Sequence, residues 1–163
     1  MDTEQTSGAA RPLQPASERF FTVESANDAL VLVRKIVADV VDAYNELLRL
    51  RAERQELALA PEGYANLEAV RRQIEDHAAR LKHLNQELID IGCELKDLAR
   101  GLVDFPAFLE NRRVWLCWKL GDPEIGYWHE LEAGFAGRRP IDDGFRLALT
   151  ETPPVEIAEA EPL

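Results

Sequence analysis

Two long runs of apolar residues spaced three and four apart, separated by Pro61-Glu62-Gly63, constrain this chain more than any other feature. In the first run Leu30, Val33, Val37, Val40, Tyr44 and Leu47 alternate those steps, with Ile36, Ala43, Leu50 and Leu57 in a flanking row. In the second run Leu67, Val70, Ile74, His77, Leu81, Leu84, Leu88, Ile91, Leu95 and Leu98 keep the same alternation. That spacing places the apolar groups on one stripe of an α-helix, wider in the first run than a two-position seam.

The ends carry matching signals. Thr22 is a good N-cap, Phe21 and Ala26 occupy the positions of a hydrophobic staple, and Glu24 suits the positive end of the helix dipole. Asn66 can cap the second helix, and Gly101 stands where a left-handed terminator is expected after Lys96 and Arg100. The spacing predicts helices over 22–59 and 66–100, folded back on each other as an antiparallel hairpin. Val37, Val40, Leu81 and Leu84 are then buried together, with His77 as a packed position in the seam. The many Val and Ile residues of the first helix lower its intrinsic propensity, so packing must hold it.

Beyond Gly101 the period changes from 3.6 to 2. Val103–Leu109 reads as a strand that Pro106 restricts to an edge or an irregular segment. Val114–Leu120 and Ile125–Leu131 read as strands joined by a Gly121–Glu124 turn. A glycine-rich loop covers 134–140, and Phe145, Leu147 and Leu149 read as a last short strand. Such a meander is too small to stand alone and must pack on the base of the hairpin. The expected fold class is mainly α with a small β part (α+β). Its domain spans 20–149, with a helical hairpin over 20–100 and a β head over 101–149. Residues 1–18 and 150–163, rich in polar groups and proline, read as disordered tails.

A net charge of −11 and a sequence pI near 4.8 argue against a phosphate-backbone partner, which needs clustered Lys and Arg. No apolar run reaches the ~18–20 residues of a membrane span, and the N-terminus lacks the pattern of a secretory signal. Two cysteines, Cys93 and Cys117, do not make a disulfide framework. A cytoplasmic location with reduced thiols is the expectation.

Glu87, Asp90, Glu94 and Asp97 would line one stripe of the second helix, where like charges repel and call for a cation. With Asp104 and His129 brought back to the same end, a divalent metal on Glu94, Asp97, Asp104 and His129 answers that demand. Lys96, Arg100 or Arg138 could answer it too, leaving a solvated acidic face. Cys117 and His129 suggest thiol–imidazole chemistry, but an even-length turn puts them on opposite faces of the ribbon. Trp115, Cys117 and Trp128 then share one face, and Leu116, Trp118, Tyr127 and His129 the other, with Cys117 a small core residue. The aromatic groups make the core of the small sheet and leave some surface over as a patch. Arg138, beside Gly134 and Gly137, offers a weak anion site.

The blocks FTVESAN, CELKDLARGLVDFPA, VWLCWKLGDPEIGYWHE and GFAGRRP resemble the bacterial family known as domain of unknown function 2203, over about residues 20 to 141. The family pattern tends to have Glu where this chain has Ser25 and Asp122. The resemblance implies the domain limits and no activity. The leading expectation is a non-enzymatic protein–protein interaction or scaffold module with a coiled-coil-like arm. It would be a homo-oligomer, most simply a two-fold dimer. The alternative is a metal-binding protein or metal-dependent enzyme with a carboxylate/His site at the junction of helix two and the head.

Overall fold

A computed structural model describes residues 19–150. The expected tails, 1–18 and 150–163, lie outside the described residues except for Thr150, which is paired in a strand. Two long helices, α1 (Val23–Leu59) and α2 (Tyr64–Ile91), pack along each other, and an antiparallel sheet follows them. Its strands are β1 (Glu94–Asp97), β2 (Leu102–Leu109), β3 (Arg112–Lys119), β4 (Tyr127–Glu130) and β5 (Arg139–Pro140), in that spatial order. A short helix α3 (Asp143–Ala148) leads into β6 (Leu149–Thr150), which pairs with the far end of β2.

α1 begins as the sequence predicts. The Thr22 hydroxyl accepts the Ser25 N–H at 3.1 Å, and the Ser25 hydroxyl accepts the Thr22 N–H at 2.9 Å. Ser25 thus does with a hydroxyl what glutamate does in a capping box. Thr22→Ala is expected to cost about 1 kcal/mol. The check is the melting temperature of the variant, with Ser25→Glu expected to keep the box and the stability.

Val37, Val40, Leu81 and Leu84 are all buried in one cluster with Val33, Leu47 and Leu88. The hairpin tip turns on Gly63, where a Cβ would stand 2.0 Å from the Leu57 carbonyl oxygen. Gly63, and not Asn66, is the residue that precedes α2, and no side chain caps that end.

The second helix stops at Ile91, short of the expected Arg100. Gly92, at φ 107, takes the left-handed conformation, and its N–H and that of Cys93 both bond the Leu88 carbonyl. The apolar spacing continues past this point only because Leu95 alternates toward the core from a strand. Leu98 is left 37% exposed. Residues 94–97 pair with 102–104, with a bulge between Leu95 and Asp97.

β2 is an inner strand paired with β3 along its whole length, in contrast to the edge or irregular segment that Pro106 suggested. Pro106 falls between the stretches paired by β1 and β6, and its carbonyl accepts the Phe21 N–H at 2.8 Å. The missing N–H therefore faces a gap in the ladder and breaks no bond. Phe145 and Leu147 belong to α3, whose N-cap Asp142 accepts the Phe145 N–H at 2.7 Å. Of the expected last strand only Leu149 pairs, joined by Thr150, which the sequence reading assigns to the tail.

The two faces of the sheet differ. Val103, Phe105, Ala107, Leu109, Val114, Leu116, Trp118 and Trp128 belong to the buried core shared with the helices. Asp104, Trp115, Cys117, Tyr127 and His129 lie on the outer face, under the loop after β4. The expected division of the ribbon is thus corrected: Cys117 pairs with Tyr127, Leu116 with Trp128 and Trp115 with His129. The connection is one residue out of the assumed phase. Ile125 is fully buried and its N–H bonds the Asn27 side chain of α1 at 2.8 Å, so the strand resumes only at Tyr127. A one-residue slip moves every side chain to the other face. It brings Cys117 and His129 together.

Candidate metal centre

Among the described residues, Asp104 and His129 are the buried polar or charged side chains, 4% and 2% exposed. Cys117, beside them, is 1% exposed. Each comes from a different neighbouring strand: Asp104 from β2, Cys117 from β3 and His129 from β4. Their positions are held by ladder hydrogen bonds, with Asp104 directly opposite Cys117 and His129 opposite Trp115. The carboxylate oxygen, thiol sulfur and imidazole nitrogen lie within 4.8 Å of one another. A carboxylate in this setting is costly unless it is paired, so the arrangement needs a physical reason.

The imidazole supplies one. His129 Nδ1 is 2.7 Å from the Glu130 carbonyl oxygen, which can only accept. Nδ1 therefore carries the proton, and in the neutral ring the lone pair sits on Nε2. That nitrogen is 3.0 Å from Asp104 Oδ2. A lone pair and a carboxylate that face each other need something electropositive between them, either a proton or a metal ion. A backbone carbonyl on one ring nitrogen is also the usual device for aiming the other at a metal.

The titration behaviour follows from burial. Loss of solvent pushes the Asp104 carboxyl above the usual carboxylate range, against the opposing pulls of His129, Cys117 and Lys96. Burial, reinforced by the Asp104 carboxylate, pushes the Cys117 thiol up to about 12, while Arg138 pulls the other way. A thiol held this high is not a nucleophile at neutral pH. A coordinated divalent cation reverses that logic, because a ligating thiol is deprotonated outright. The donor types suit such an ion, and the Cys117 sulfur, within 4.8 Å of the other two atoms, has to stand ~3.5 Å from them for a Zn–S bond of ~2.3 Å. Bonds of ~2.0 Å at a tetrahedral angle place neighbouring ligand atoms ~3.3 Å apart. An opening of a few tenths of an ångström at Asp104 and His129 reaches that. One sulfur, one imidazole nitrogen and one carboxylate oxygen are the ligand types of zinc.

Of the other residues singled out in the sequence, Glu94 and Asp97 bond their carboxylates to cations outside this group, while Lys96 and Arg138 border it. Glu94 is the Cα partner of Asp104, yet its exposed carboxylate bonds Lys96 Nζ at 2.6 Å. Asp97 turns into the β1–β2 connection and accepts the Arg100 N–H at 2.9 Å and its Nε–H at 3.1 Å. Those bonds hold the Asp97 carboxyl below the ordinary range. The stripe with Glu87 and Asp90 is broken by the end of α2, where Glu87 faces His83 and Asp90 accepts from Gln86. Arg138 donates to Asp122 at 3.3 Å and lies over the rings of Tyr127 and Phe135, at 3.9 and 4.3 Å. Neither Lys96 nor Arg138 stands between Asp104 and His129, whose direct contact leaves no room for a side chain. Cys117 is the member that strand parity hid. The signal for the group was a single carboxylate inside LVDFPAFL and a single imidazole inside YWHE.

A cavity of about 190 Å³ opens beside the three residues, walled by Leu102, Trp115, Leu131 and Phe135 with Lys96 at its margin. The outer aromatic groups carry cations: Lys96 Nζ is 4.6 Å from the Trp115 ring centre. No curated protein and no solved structure matches the chain. Residues 19–141, most of the 163, match the family described as Uncharacterized conserved protein (DUF2203), and the chain belongs to it.

Proposed function

We propose that this protein binds a divalent metal of the zinc class through Asp104, Cys117 and His129. The observation that carries the reading is the convergence of three buried ligand atoms, with His129 Nε2 3.0 Å from Asp104 Oδ2 and the Cys117 sulfur within 4.8 Å of both. Three protein ligands leave a fourth position free, as in reactive zinc sites and unlike closed structural ones. Ligands on three paired strands are also held more firmly than ligands on loops. The reading fits a reducing cytoplasm, where Cys117 stays a thiol until metal arrives.

Zinc titrated against a competing chelator tests this, using full-length protein without a histidine tag. One equivalent is expected to bind. Cys117→Ser and His129→Ala should each weaken binding by at least a hundredfold while the far-ultraviolet dichroism is unchanged. Wild-type protein that fails to compete with a weak chelator would remove the proposal.

A second reading is that the helical arm is a protein contact element. It rests on the hairpin tip, where Leu59 is 88% and Tyr64 82% exposed. Sedimentation at tens of micromolar is expected to show self-association that Leu59→Ser with Tyr64→Ser abolishes. A monomer at that concentration would count against a dimer.

A further inference from the structure

We infer that the free coordination position is a ligand site for a small organic monocarboxylate, an inference that rests on the metal reading above. Three features of the cavity select that chemistry. The first is size: about 190 Å³ corresponds to ~6 water molecules at ~30 Å³ each, enough for a small acid and too little for a nucleotide. The second is the wall. Leu102, Trp115, Leu131 and Phe135 present apolar and aromatic surface to whatever enters, so the body of the ligand is apolar.

The third is charge. A divalent ion on one thiolate, one carboxylate and one neutral imidazole is formally neutral, so the ion itself admits an anion. Lys96 lines the cavity with its ammonium over the Trp115 ring, and a second cation, Arg138, acts on Cys117 and lies over Phe135 beside it. One carboxylate between the ion and Lys96 has its partners, whereas the remaining oxygens of a phosphate would face the apolar wall without donors. Lys96 is also paired with Glu94, but both side chains are substantially exposed, 40% and 55%. An exposed pair of this kind is worth little, and a ligand carboxylate in a drier site competes with it. The ligand then lies with its carboxylate between the metal and Lys96 and its body under Phe135. Arg100 and Arg138 stack against Phe135, at 5.5 and 4.3 Å, and hold that ring in place.

Calorimetric titration of the zinc-loaded full chain with benzoate and with butyrate tests the inference. Saturable one-to-one binding of at least one of them is expected, with benzamide, the neutral counterpart of benzoate, not binding. Lys96→Gln should bind zinc like the wild type and the acid roughly tenfold more weakly. Zinc-loaded protein that takes neither acid would overturn the inference and leave the metal reading standing. Equal acid binding with and without zinc would also overturn it, since the metal would then not hold the carboxylate. A chain that takes up no zinc removes both.

Discussion

Leu88→Asp is expected to abolish the cooperative thermal transition of this protein. Leu88 is fully buried near the end of α2, in the cluster that joins the helical hairpin to the inner face of the sheet. Truncating such a leucine alone costs about 2–5 kcal/mol. An aspartate adds a carboxylate with no partner, which costs several kcal/mol more or forces protonation. Domains of this size have only about 5–15 kcal/mol of stability, so the sum takes most or all of it. Leu88→Ala is the graded control, expected to remain folded with a lowered melting temperature. Near-ultraviolet dichroism during heating checks both. A native-like transition in Leu88→Asp would mean that the hairpin is not packed on the sheet as described.

Zinc should stabilise the wild-type chain by the second large margin. A ligand that binds only the native state adds about 4 kcal/mol at a thousand times its dissociation constant. For a domain of this length that is a rise in melting temperature of roughly 10–15 °C. Cys117→Ser is expected to lose this rise while melting, without metal, close to the wild type. Differential scanning fluorimetry with and without zinc reads the result. An equal rise in Cys117→Ser would place the bound metal elsewhere, for example on the exposed His83 and Glu87 of α2, which lie 3.2 Å apart.

The parts of the fold that were legible in the sequence are those governed by local chemistry. Thr22 announces the start of α1 because a hydroxyl at that position has one favoured partner, and the three-four rows announce both helices. The two glycines after α2 were harder to tell apart. Gly92 and Gly101 both have positive φ, at 107 and 66, and both follow apolar positions in phase. The helix ends at the first because Cys93 folds under it, fully packed, and Leu95 then faces the core from β1. That turn carries Asp97 into the β1–β2 connection, where it binds Arg100, and sets Glu94 opposite Asp104 but bonded to Lys96.

Asp104 was recognisable as a lone carboxylate inside an otherwise apolar strand, and His129 as the one histidine outside the two helices. Their partner Cys117 was not, since strand parity depends on how many residues lie between pairing positions. That number is set by a tertiary contact, the burial of Ile125 and the bond of its N–H to Asn27, nearly a hundred residues away. No local pattern around Gly121–Glu124 encodes it.

Cobalt(II) substitution tests the central claim most directly, because the ion reports on its own ligands. Full-length protein without a tag, titrated with cobalt under reducing conditions, is expected to develop a near-ultraviolet thiolate-to-cobalt band together with intense visible bands of a four-coordinate ion. Both should saturate at one equivalent, and the thiolate band should vanish in Cys117→Ser and persist in a Cys93→Ser control. Only the weak visible absorption of cobalt bound to water and exposed carboxylates, with no thiolate band, would contradict a centre built on Asp104, Cys117 and His129.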